Sequence, residues 1–366
     1  MGILPKGSIM MRMARRLSIV SVMMLLGLAG CTQAQHNPRL PDPDWIFGYD
    51  KNLPLGAEVS IAEETPLYIC YKVVYRSARD QRVPAFLVLP KNRQEGQKLP
   101  CVILMHGLGG DKSMLKMLWP LLLNAGYALF AIDAQYHGER KPKDSLPFFG
   151  VYPYYSRDAL IQTVIDLRRA VDYLETRPEI DPKRIGYIGA SMGGMLGAIF
   201  AGVDERVQAP VLLVAGGNWK IIMEKSVLSV FRENRSPKEM EQALKAMDVV
   251  DPVHWVGRIS PRPVLMINGD ADDVVPVDSN KALHEAAREP KKIIWYKGGH
   301  VPPPAEMPNL LNAVVNWLNE HLKGQAKSTS LWQEWRDRLR NAAALAAFYL
   351  PTFWQALRQW LMGLLP

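Results

Sequence analysis

Arg184-Ile185-Gly186-Tyr187-Ile188-Gly189-Ala190-Ser191-Met192-Gly193-Gly194 is the stretch that decides the fold. Its first five residues read as an apolar strand, and the small-residue run from Gly194 to Gly202 reads as a helix. Between them, Gly189-x-Ser191-x-Gly193 places a serine on a sharp strand-to-helix turn. Small neighbours let the backbone fold tightly there and push the hydroxyl into the open. The helix behind it offers free N–H groups and a positive dipole end, which suits a developing anion. Ser191 is therefore the candidate nucleophile.

A serine hydroxyl needs a base to take its proton and a carboxylate to hold that base in the right tautomer. In a sheet of this kind the chain order is serine, acid, histidine. After Ser191 come His254, His284, His300 and His321. His284 falls within the helical pattern from Ser279 to Arg288, His321 within the one from Asn309 to Leu322, and His254 precedes any acid loop. His300 ends Lys297-Gly298-Gly299-His300, directly after the strand-like run Lys292 to Tyr296, where a loop can swing a ring over the sheet edge. It is the candidate base. The preceding strand, Pro263 to Asn268, runs into Gly269-Asp270-Ala271-Asp272-Asp273-Val274-Val275-Pro276. Asp272 fits G-x-x-D-x-x-V-P and is the favoured acid. Asp273 is its rival, and aspartates in such a run also serve as turn formers.

A second glycine-rich turn follows the apolar run Pro100 to Met105, as His106-Gly107-Leu108-Gly109-Gly110. Glycines there let the backbone approach a substrate and aim an N–H at an oxyanion. The N–H groups of Leu108 and Met192 form the expected pair. His106 precedes the serine, so it reads as a loop-ordering residue rather than a base.

His106-Gly-Leu108-Gly-Gly110, Gly189-Ala-Ser191-Met-Gly193, Gly269-x-x-Asp272 and Gly-Gly-His300, in this order, resemble the α/β-hydrolase superfamily across Tyr68 to Lys323. The resemblance is strongest to its dienelactone-hydrolase and acetyl-esterase-like branch, including the stretch Asp133-Ala-Gln-Tyr-His137-Gly-Glu-Arg140. It implies an α/β fold with a mostly parallel eight-stranded sheet, helices on both faces, and hydrolysis of a small carboxylic ester through an acyl-enzyme. Asp133 and His137 then order a loop. Dienelactone hydrolases themselves use a cysteine nucleophile, and the serine here points to an ester hydrolase instead. Two rival functions are a peptidase of the prolyl-oligopeptidase type and a non-catalytic binding scaffold. The stretch from Cys31 to Tyr68 is too short for the propeller that such peptidases carry.

The remaining periodicity alternates strand and helix, as a sheet covered on both faces requires. An antiparallel pair (68–76, 82–89) precedes strands near 101–105, 128–132, 185–188, 211–215, 264–268 and 292–296. Helices are expected near 114–125, 157–175, 192–202, 278–288 and 309–322. An insertion at 218–255, with helical patterns over 221–231 and 236–248, sits where a cap over the pocket would be placed. A solvated helical excursion is the alternative.

The three cysteines, Cys31, Cys70 and Cys101, are not spaced as a metal site, and no motif calls for an organic cofactor. The formal charge of +8 falls to +4 without Lys6, Arg12, Arg15 and Arg16, and the other cations are scattered among acids. That is no nucleic-acid footprint.

Arg12, Arg15 and Arg16 form a positive n-region before the apolar run Leu17 to Leu28, and Leu28-Ala29-Gly30-Cys31 resembles a bacterial lipobox. Residues 1–30 then read as a lipoprotein signal peptide, Cys31 as the lipidated residue and 31–67 as a tether and lead-in. The catalytic domain spans 68–323. The expectation is an exported protein, lipid-anchored on the periplasmic side, with Thr32 favouring the outer membrane. At the other end, Leu331, Trp332, Trp335 and Leu339 share one helical face, and Phe353, Trp354, Leu357, Trp360 and Leu361 repeat the spacing. Residues 331–366 are thus expected as helices lying in a membrane interface, or packed on the protein's own domain or a second subunit.

Overall fold

A computed structural model describes residues 42–324, apart from 145, 147, 150, 151, 229, 230 and 232–234. Cys31 with its lipobox and the C-terminal segment 331–366 lie outside the described residues. Among the described residues nine strands make a single sheet. They are β1 Glu58–Glu64, β2 Tyr68–Arg76, β3 Arg82–Pro90, β4 Leu99–Met105, β5 Ala128–Ile132, β6 Ile180–Ala190, β7 Val207–Leu213, β8 Val264–Gly269 and β9 Lys291–Tyr296. They lie side by side as β1-β2-β3-β5-β4-β6-β7-β8-β9. β1, β2, β3 and β5 pair antiparallel, and every pairing from β5 through β4 to β9 is parallel.

The eight strands expected from the sequence become nine because β1 is an edge strand with almost no buried residue. Glu58, Glu63 and Glu64 break the apolar signal that would mark a strand, while charge on an edge discourages pairing with another chain. The central strands show the opposite pattern. Every residue of β4 and β5 is buried, as expected for strands covered on both faces. Their side chains alternate between two cores: Cys101, Ile103, Met105, Phe130 and Ile132 on one face, Val102, Leu104, Leu129 and Ala131 on the other.

The first face is covered by α3 (Pro153–Glu175) and α4 (Met192–Val203), the second by α2 (Trp119–Asn124) and α9 (Met307–Lys323). A short α1 (Pro43–Phe47) precedes β1. α3 starts four residues before the expected 157 because Pro153 is tolerated in a first turn, where its missing N–H has no partner to lose. The insertion after β7 carries α5 (Trp219–Lys225), α6 (Pro237–Met247) and α7 (Pro252–Trp255). A reciprocal Ser236–Glu239 capping box opens α6. The buried Asp251 carboxylate accepts from Asn218 N–H (2.8 Å), Trp219 N–H (2.8 Å) and Val253 N–H (3.1 Å), so one side chain fixes the starts of both α5 and α7.

Beneath the carboxyl ends of the strands lies a buried polar chain. α8 (Val277–Ala286) carries His284, whose Nε2–H donates to Asn268 Oδ1 at 3.0 Å, and Asn268 Nδ2 donates to Ala215 O. Burial, reinforced by the Lys291 cation, lowers the His284 pKa to about 4. Burial, then the neighbouring His106, lowers His137 to about 4 as well. In the unfolded chain both rings protonate near 6.5, so between about pH 6.5 and 4 the unfolded state binds more protons than the folded one. Stability should therefore fall as the pH drops through that window, by about 2 kcal/mol per ring at pH 5. Urea unfolding at pH 7 and pH 5 checks this, and His284→Gln, which keeps the bond to Asn268, should lose its share of the drop. Equal stability of the wild type at the two pH values would contradict it.

Candidate active site

The strand-to-helix turn at Ser191 is held in a conformation few side chains adopt, with φ 56° and ψ −119°. Such a backbone costs about 1–3 kcal/mol and persists only where its surroundings dictate it. Here Ser191 N–H donates to Leu213 O at 2.8 Å, and Tyr187 Oη–H donates to Gly193 O at 2.6 Å. The turn is pressed against the end of β4. A Cβ at position 193 would lie 2.4 Å from Met105 O, and one at position 189 would lie 2.3 Å from Gly193 O. The two glycines of the motif are thus demanded by close backbone approach.

His300 and Asp272 come together from the loops after β9 and β8. His300 Nδ1 donates to Asp272 Oδ2 at 2.8 Å, with both side chains buried. The other carboxylate oxygen of Asp272 accepts from Val274 N–H (3.0 Å) and Val275 N–H (2.9 Å). Asp270 and Asp273 are exposed instead. Asp270 pins the histidine loop, accepting from Gly298 N–H at 3.0 Å and pairing with Lys297 at 2.7 Å. Asp273 contributes its backbone carbonyl to Val227 N–H. Ser191 and His300 face one cavity.

Leu108 N–H has no acceptor among the described residues, and Met192 is the first residue of α4, whose N–H has no partner within the helix. The loop carrying Leu108 is tied down by His106. The ring accepts Ala134 N–H at Nε2 (3.1 Å), which leaves the proton on Nδ1 to donate to Gly107 O (2.7 Å). Burial lowers the His106 pKa and favours this neutral tautomer. Asp133 binds the same loop from the β5 side, accepting from Lys112 N–H, Lys112 Nζ and Glu139 N–H at 2.8, 2.9 and 3.0 Å. His137 Nδ1 donates to Gln135 O at 2.9 Å.

Three supports escape a reading of the sequence. Tyr296 Oη–H donates to the Gly299 and His300 carbonyls at 2.7 and 3.3 Å. Burial, aided by Asp272 and Asp270, keeps that phenol protonated far above its ordinary range. Ser226 Oγ–H donates to Val274 O at 2.7 Å, so the insertion braces the acid loop. The third is the wall of the cavity itself, which is open on one side and holds about 150 Å³. Leu213, Val214 and Ile267 come from the ends of β7 and β8; Met114, Leu115, Met117 and Leu118 from the segment after β4; and Met307, Leu310, Leu311 and Val314 from α9. Among the described residues none from 218–255 lines it. Within the insertion, Trp219 and Phe231 pack on Phe149, at ring separations of 5.6 and 5.1 Å. Among the described residues, no group of three or more His, Cys, Asp or Glu could hold a cation, and Cys70 and Cys101 are free thiols on β2 and β4, separated by β3 and β5.

A family model described as acetyl xylan esterase (AXE1) matches residues 59–321. The acetyl xylan esterase from Paenibacillus sp. R4 superposes with a TM-score of 0.64 at 23% identity, over 74% of this chain and 90% of that one. Acetyl xylan esterase 1 from Thermoanaerobacterium sp. JW/SL YS485 gives 0.60 at 20% identity, over 72% and 88%. These two likenesses show the α/β-hydrolase fold. The Bacillus subtilis (strain 168) protein YtaP is 24% identical over 238 residues, covering 62% of this chain and 77% of its own.

Proposed function

Because the chain belongs to the acetyl xylan esterase family and is a carboxylic-ester hydrolase, we propose that it works through a Ser191–His300–Asp272 triad. The observation that carries this reading is the buried 2.8 Å bond from His300 Nδ1 to Asp272 beside a serine on a strained turn in the same cavity. With Nδ1–H held by Asp272, Nε2 presents its lone pair. It takes the Ser191 proton as Oγ attacks the ester carbonyl, and Asp272 stabilises the imidazolium that forms. The Leu108 and Met192 N–H groups hold the oxyanion. The imidazolium then gives its proton to the departing alkoxide, leaving an acyl-Ser191, and a water activated by His300 releases the acid. A fluorophosphonate probe should label Ser191 in the purified protein, with the adduct located by peptide mass spectrometry. Absence of labelling, or labelling elsewhere, would reject the assignment. Cleavage of a proline anilide without ester hydrolysis would favour a peptidase instead.

The reading extends to location. The Leu28-Ala29-Gly30-Cys31 motif supports export, lipidation at Cys31 and attachment to the periplasmic side, on the outer membrane given Thr32. The Trp-rich faces of 331–366, backed by arginines, support a second contact in the headgroup region of the same bilayer. Among the described residues no helix is long and apolar enough to cross a membrane. Cells fed labelled palmitate should incorporate it into the wild type and not into Cys31→Ser. The Cys31→Ser protein should still sediment with liposomes, and truncation at Lys327 should release it. Equal labelling of both proteins, or unchanged sedimentation after truncation, would sink the corresponding half of the proposal.

A further inference from the structure

We infer that the cavity beside Ser191 is a recognition pocket for the apolar part of the ester, sized for about six carbons. The preferred substrates then carry a medium-chain alkyl or single-ring aryl group. This rests on the esterase reading above and names its substrate class. Three features lead there. The first is size: the pocket, open on one side, holds about 150 Å³, and apolar cavities of comparable volume in other proteins take up benzene. An acetyl methyl would leave most of it unfilled.

The second is chemistry. Among the described residues no charged side chain lines the cavity, and the polar side chains on its wall are Ser191, His300 and Tyr296. The Tyr296 hydroxyl is already committed to the Gly299 and His300 carbonyls, and His300 Nδ1 to Asp272. A sugar ring placed here would bury hydroxyls without partners, which is unfavourable. The third is adaptability. Met114, Met117 and Met307 are half-buried on its wall, and unbranched thioethers reshape around differently shaped apolar groups. The pocket should thus read apolarity and size more than outline.

The apolar group could sit on the acyl or the alcohol side of the ester, and ethyl acetate, ethyl hexanoate and hexyl acetate separate the two. Each methylene drawn from water is worth about a fourfold change in an equilibrium constant. With full-length protein in a pH-stat assay, kcat/KM should be at least tenfold higher for one six-carbon ester than for ethyl acetate, and the favoured one identifies the side. Val314→Phe, which fills the cavity from α9, should abolish the preference, so that the two six-carbon esters and ethyl acetate differ by no more than about threefold in kcat/KM. Met117→Trp at the half-buried wall gives the same test if circular dichroism shows Val314→Phe to be unfolded. Equal kcat/KM for all three esters, or a preference untouched by both variants, would overturn the pocket assignment and leave the esterase reading standing. Turnover of none of the three would overturn the esterase reading itself.

Discussion

Replacing Ser191 with alanine should reduce kcat for p-nitrophenyl acetate on the order of 10⁶-fold, since a triad without its nucleophile retains only what binding and the oxyanion donors supply. The backbone makes a second outcome readable in the same experiment. Ser191 sits at φ 56° and ψ −119°, a conformation that only glycine adopts without strain. Ser191→Gly should therefore be as inactive as Ser191→Ala and yet unfold about 1 kcal/mol later than the wild type, measured by urea denaturation. Alanine keeps the strain and should leave stability nearly unchanged. A fold that holds a residue in an unfavourable conformation to present one hydroxyl predicts this opposition between activity and stability. Residual turnover within tenfold of wild type in either variant would remove Ser191 from the mechanism.

What the sequence reveals and hides follows from the range of the interactions involved. The turn at Ser191 is legible because Gly189 and Gly193 answer contacts within a few residues and with the neighbouring strand β4. The central strands are legible because burial on both faces leaves continuous apolar runs such as Leu99–Met105. β1 is hidden because an exposed edge strand carries no burial signature. The motif favours Asp272 over Asp273 without deciding between them, since both suit a turn. Only the folded loop distinguishes the buried carboxylate facing His300 from its exposed neighbours. The cavity wall is hidden for another reason. Met114–Leu118 and Met307–Val314 stand almost two hundred residues apart and meet only because α9 packs back beside the segment after β4. The insertion at 218–255 is legible as helices but not in its contacts. Trp219 and Phe231 find their partner in Phe149, and Ser226 braces the acid loop at Val274, all far apart in the chain.

Asp272→Asn should cost about 10³- to 10⁴-fold in kcat with the fold intact, far more than the same change at either neighbour. The size follows from how the new amide must sit. Asp272 Oδ1 accepts two backbone N–H groups, from Val274 and Val275, and an NH₂ group cannot replace it there. The amide oxygen therefore keeps that position, and its NH₂ is turned toward His300 Nδ1. The ring can satisfy this donor only by presenting a lone pair at Nδ1, which moves its own proton to Nε2. His300 then has no lone pair left to take the Ser191 proton, and no carboxylate stabilises the imidazolium. Asp273→Asn leaves its carbonyl bonded to Val227 and should change kcat by less than about threefold. Asp270→Asn loses an exposed pair with Lys297 while an amide oxygen still accepts from Gly298, so its effect should stay within about tenfold. Steady-state kinetics of the three variants, with circular dichroism as the check on folding, ranks them. A folded Asp273→Asn protein that is dead while Asp272→Asn works would transfer the acid's role by one residue.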